Sequence, residues 1–174
     1  MTTLATLTDK FTSTAEIVRN DDAVTIRVTD PEGDHLVLTL DRDEVHRTIT
    51  DAAEQGATID THEESMEGEV RGGAQAAPFD DGLVLIFWRE EDDHQINLYP
   101  AKEDAMRFAY SVLADAPVVA IDREAPLMAA AVEKYPHGNT RVSVLDEYGD
   151  THTAVDLEED QVRALIAALE QAIA

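Results

Sequence analysis

The sequence predicts an α+β fold of three ββα units, antiparallel hairpins with helices packed on one face, plus an N-terminal extension. Three observations carry this. First, residues 140–174 read as strand, polar turn, strand, helix, and the same order recurs at 23–56 and 83–116. Second, the registers agree. Val45, Ala105 and Val162 hold equivalent helix positions, each nine residues after Leu36, Ile96 and Thr153. Third, apolar spacing changes from two to three-or-four within each unit, as it must where a strand gives way to a helix.

The chain of 174 residues has the size of a single domain. In the extension, 1–22, Leu4, Leu7, Phe11, Ala15 and Val18 fit a helical stripe, while the early threonines oppose one. A short helix at 3–11 and a strand near 14–19 are expected, then a turn at Asn20-Asp21-Asp22. In the first unit Val24, Ile26 and Val28 share a strand face. Asp30-Pro31-Glu32-Gly33-Asp34 turns the chain, and Leu36, Leu38 and Leu40 return it. Asp41 and Glu44 form a capping-box pair, and Val45, Ile49, Ala52 and Ala53 are the buried helix side.

Residues 57–82 break the rhythm. They run from acidic (Glu63, Glu64, Glu67, Glu69) to Gly- and Ala-rich, and read as an arm without structure of its own. In the second unit Leu83-Val84-Leu85-Ile86-Phe87-Trp88 is apolar on both faces, as a central strand covered on each side would be. Pro100 opens a helix whose buried stripe is Ala105, Ala109, Val112 and Leu113. In the connector, 117–139, Val118-Val119-Ala120-Ile121 suggests a strand and 125–135 a helix. The third unit ends in a helix whose stripe is Val162, Leu165, Ile166 and Leu169.

Thirty-seven acidic residues face thirteen basic ones, a net charge of −24. In dilute buffer such a surface repels itself, whereas molar salt shortens the Debye length to about 3 Å and relieves most of that repulsion. The acids are spread along the whole chain, and its apolar positions favour Ala, Val and Leu. This composition resembles that of proteins from extreme halophiles. An acidic DNA mimic is a lesser reading, because the acids show no phosphate-like order. Nucleic-acid binding is disfavoured for want of a basic patch. The chain has no cysteine, hence no disulfide or thiolate metal site. It has no apolar run of membrane-spanning length and no leader-like start, so a cytoplasmic or virion location is expected.

Asp30–Asp34 and Asp146–Asp150 share the form Asp-x-x-Gly-Asp. Carboxylates suit hard cations, but the spacing departs from the calcium loop, so solvated turns are the expectation. His35, His94 and His152 each follow a hairpin turn without helical zinc spacing. There is no nucleophile elbow and no phosphate loop, so no catalytic residue, cofactor site or metal site is assigned.

Two features point to protein contacts. Phe87 and Trp88 would form an interface core if the outer face of their strand is uncovered. The arm, with Glu63, Glu64, Met66 and Arg71, could order on a partner. The expected function is a non-enzymatic structural or assembly protein of a halophilic source, such as a virion component. It would self-associate or bind a protein partner, as a homo-oligomer or part of a larger assembly. The alternative is a cytoplasmic regulatory or small-ligand-binding module, with a metal-dependent hydrolase less favoured.

Overall fold

A computed structural model of the chain describes residues 3–18, 24–56, 59–64, 70–91, 93–114, 116–122 and 128–174. Its described residues form three four-stranded antiparallel sheets, each followed by a helix. The first sheet is a meander of β1 (Thr3–Thr8), β2 (Thr14–Val18), β3 (Val24–Thr29) and β4 (His35–Leu40), followed by α1 (Arg42–Gln55). The second is β5 (Ile59–Glu64), β6 (Val70–Phe79), β7 (Gly82–Arg89) and β8 (His94–Leu98), followed by α2 (Lys102–Ala114). The third is β9 (Val118–Asp122), β10 (Met128–Lys134), β11 (Thr140–Leu145) and β12 (Thr151–Leu157), followed by α3 (Glu159–Ile173).

The α+β class and the three ββα segments stand as expected. Each segment is the second half of a larger ββββα unit. The aligned strand positions are directly opposed: Val28 pairs with Leu36, Phe87 with Ile96, and Val144 with Thr153.

The segments read as punctuation supply the missing halves. The helix expected at 3–11 is strand β1, which pairs with β2 inside the first sheet. Its threonines are β-branched and fit a pleated surface better than a helix. The arm also pairs. Glu63 and Glu64 lie on β5 opposite Gly72 and Val70, and Arg71 lies on β6. Met66 and the Asn20-Asp21-Asp22 turn lie outside the described residues. The helix expected at 125–135 is replaced over its described part by β10, which pairs with β9 and β11.

The Gly- and Ala-rich composition of β6 has a packing cause. A Cβ on Gly72 would lie 2.6 Å from the Trp88 carbonyl oxygen and 3.1 Å from Leu38 Cδ2. Ala74 and Ala76 are buried where α1 crosses β6. Small residues let backbone and helix approach closely here.

Helices pack chiefly on the sheet of the following unit. α1 lies on β5, β6 and β7 and against α2, through Val45, Ile49, Ala52 and Ala53. α2 bridges β1 of the first sheet to β9 and β10 of the third. Together these elements enclose one continuous apolar core.

The hairpin loops share one construction. In Asp30–Asp34 the Asp30 amide donates to the Asp34 carbonyl (2.9 Å) and the Gly33 amide to the Asp30 carbonyl (3.1 Å). Residues Asp146–Asp150 repeat this with Gly149, and Asp9–Ser13 with Thr12. The fourth residue has positive φ in each: 94° at Gly33, 81° at Gly149 and 72° at Thr12. This is a three-residue hairpin loop with a left-handed residue. The first aspartate fixes it, its carboxylate accepting the amides two and four residues on. Asp9 also accepts the Tyr99 amide at 3.0 Å, tying the first hairpin to the start of α2.

Candidate association surface

Strand β7 alternates. Leu83, Leu85 and Phe87 face the core, while Val84, Ile86 and Trp88 lie half-exposed on the other face. Phe87 is only 1% exposed, so of the aromatic pair Trp88 alone sits at the surface. Strand β7 is therefore covered on one face and half-covered on the other. Arg89 crosses from the second sheet to the first, its guanidinium donating to the Val37 carbonyl.

The most exposed apolar side chains gather on the third unit. α3 has the stripe expected of a buried helix, yet among the described residues it meets only β12 appreciably. Leu165 is 39% exposed, Ile166 50%, Leu169 57% and Ile173 85%, and Val155 on β12 is 51% exposed. Nothing is buried along α3, whereas α1 and α2 each bury at least six residues. The stripe of Val162, Leu165, Ile166 and Leu169 forms as a helix face, but none of its members is buried. The helices before α3 each have a following sheet to lie on, and α3 has none among the described residues.

Beside it, the third sheet has one covered face and one open face. Ala129, Ala131, Ser143 and Leu145 are buried. On the reverse, Ala130 opposes Val144, and Val132, Val142 and Val155 form a row across three strands. The first four of these five are half-exposed. Arg141 bonds Asp156 across the β11–β12 pair at 2.8 and 3.1 Å, which holds that carboxyl below its usual range. The helix itself is well begun: the Glu158 amide donates to the Gln161 side chain at 2.9 Å in a capping box.

Two concave sites lie at the other side of the molecule. A cleft of about 360 Å³ runs between β1, α2 and β9, with Thr6, Thr8, Asp104, Arg107 and Ser111 in its lining. Three of its polar side chains are engaged within the fold. Arg107 pairs with Asp104, and Ser111 accepts the Val118 amide at 2.8 Å while donating to the Arg107 carbonyl at 2.8 Å. An adjoining cleft of about 400 Å³ is edged by Phe79 and Tyr99, which with Phe11 form an aromatic cluster with centroid spacings of 5.0 and 5.7 Å. Residue spacing gave no sign of this cluster, because its members come from the β1–β2 turn, the end of β6 and the segment after β8.

The turn aspartates use their carboxylates to hold the loops. Among the described residues no group of three or more His, Asp or Glu could hold a metal ion. No described helix is long and apolar enough to cross a membrane. Comparison of the chain with family models, curated proteins and solved structures found no match.

One buried ionisable group stands out between α1 and α2. His46 packs edge-on against Tyr110, with centroids 4.6 Å apart, and its buried Nε2 has no hydrogen-bond partner. Burial lowers the imidazole pKa from its ordinary 6.5, against the opposing pull of Asp43 and Asp51. Burial, with Glu54 and Glu147 adding to it, pushes the Tyr110 phenol up to about 12. The unfolded chain therefore holds the His46 proton more readily than the folded chain. The neutral ring's contribution is complete above pH 6.5 and is lost as pH falls below it toward the folded value. We expect urea midpoints in molar KCl to fall as the pH drops below about 6.5, and His46→Leu to flatten that slope. A slope unchanged in His46→Leu contradicts this assignment.

Proposed function

We propose that this chain is a non-enzymatic subunit of a multi-subunit assembly that operates in molar salt. A particle or capsid-type component from a halophilic source, such as a virus of a halophile, is one concrete form. The observation that carries the reading is the uncovered apolar stripe of α3 beside the open valine face of the third sheet. Apolar patches of this kind on a folded chain mark interaction sites. Asp104, Arg107 and Ser111 of the first cleft, by contrast, already serve the fold, which leaves less support for a ligand-binding module.

Charge gives the condition. At a net charge of −24, two copies repel strongly in dilute buffer. In molar salt that repulsion is screened within about 3 Å, and apolar contact decides the outcome. Light scattering after size exclusion, in molar KCl and in dilute buffer, tests the reading. A defined oligomer in salt supports it; a monomer at every concentration in both contradicts it.

A further inference from the structure

We infer that the partner of α3 is α3 of a second copy, packed antiparallel about a two-fold axis near Ala167. The inference rests on the assembly reading and names the contact that begins it.

The stripe has the spacing of a helix–helix seam. Val162, Leu165, Leu169 and Ala172 fall at intervals of three, four and three residues, with Ile166 and Ile173 alongside. An antiparallel pair centred at Ala167 sets Leu165 against the partner's Leu169, and the reverse, in two identical central layers. Val162 then meets the partner's Ala172, large against small, in the outer layers. An isologous contact requires such self-complementarity, and this sequence supplies it.

Charge supports the same direction. Arg163 and Glu170 lie on one flank of the stripe, about 20° apart around the helix. In the antiparallel pair the Arg163 flank of one copy passes the Glu170 flank of the other, twice. A parallel pair would place the two Glu170 side chains on opposite sides of the seam and bring neither to an Arg163. Within one chain Arg163 bonds only Glu159 on the same helix, with both side chains well exposed, so it is free to turn toward a partner.

Area is sufficient. At the observed exposures, Leu165, Ile166, Leu169 and Ile173 present roughly 450 Å² of apolar surface per copy. Complete burial would remove at most roughly 900 Å² of this surface from two copies, so the polar flanks must contribute to reach the ~1,000 Å² a specific interface needs. The chain already holds one such pairing, since α1 packs against α2.

The chain has no cysteine, so introduced thiols report without interference. Full-length Leu165→Cys and Leu169→Cys are mixed in molar KCl and oxidised, with Glu91→Cys on the distant β7–β8 hairpin as control. We expect the 165–169 mixed disulfide at least tenfold above any product involving position 91. Leu169→Glu should raise the concentration for half-association at least tenfold while the urea midpoint of the packed body stays native, because α3 contributes little to that body. Dominant 165–165 disulfides would overturn the antiparallel geometry. An oligomer that persists in Leu169→Glu without cross-linking would overturn this contact but leave the assembly reading standing. A wild-type monomer under all conditions would overturn both.

Discussion

Phe87→Ala is expected to lower stability by about 3–5 kcal/mol, the largest loss of any single side chain considered. Phe87 is 1% exposed in the middle of β7, opposite Ala74 on β6 and Ile96 on β8. Removing the ring leaves a cavity that these strand-bound neighbours cannot collapse into, so the cavity cost adds to the lost transfer energy. Trp88→Ala is the contrast. It lies one residue on, faces the other side of the sheet and is half-exposed, so its loss should be clearly smaller. Urea titration in molar KCl reads both. Equal losses would mean that the second face of the sheet is as well covered as the first.

Gly149→Ala is expected to cost about 2–4 kcal/mol, and Gly33→Ala about 1 kcal/mol. The two glycines occupy the same place in the same loop, with φ of 81° and 94°, so the backbone penalty is shared. Their surroundings differ. A Cβ on Gly33 meets nothing within 4 Å, whereas one on Gly149 would lie 2.6 Å from Leu113 Cβ on α2. The excess at Gly149 therefore reports how closely the β11–β12 hairpin seats on α2. Equal losses would show that the third sheet stands away from that helix.

The sequence carried the strand registers well. Two-residue alternation and turn chemistry are local, and the aligned positions Leu36, Ile96 and Thr153 all fall on the return strands of true hairpins. It carried the first half of each unit poorly, for reasons that differ by segment. In β10, Met128-Ala129-Ala130-Ala131 is made of good helix formers, and pairing on both edges overrides that propensity. In β6, glycine and alanine look like flexibility but fill a space already claimed by Leu38 and the Trp88 backbone. Long-range approach of this kind leaves only an absence of side chain in the sequence.

The association surface was half legible. The stripe on α3 was plain, but the same spacing in α1 is buried, and spacing alone does not say which helix finds a sheet. The doubly apolar strand at Phe87 and Trp88 carries the stronger interface signal in the sequence. The structure buries Phe87 and leaves Leu165, Ile166, Leu169 and Ile173 exposed along α3.

The most direct test of the account is amide hydrogen exchange along α3 in molar KCl, measured over a hundredfold range of protein concentration. A fifteen-residue helix with no tertiary cover is only marginally stable in water. The account predicts fast exchange from 162 to 173 in the dilute sample and strong protection in the concentrated one, with α1 and α2 protected in both. Protection of α3 that does not change with concentration would contradict the claim that another copy covers it.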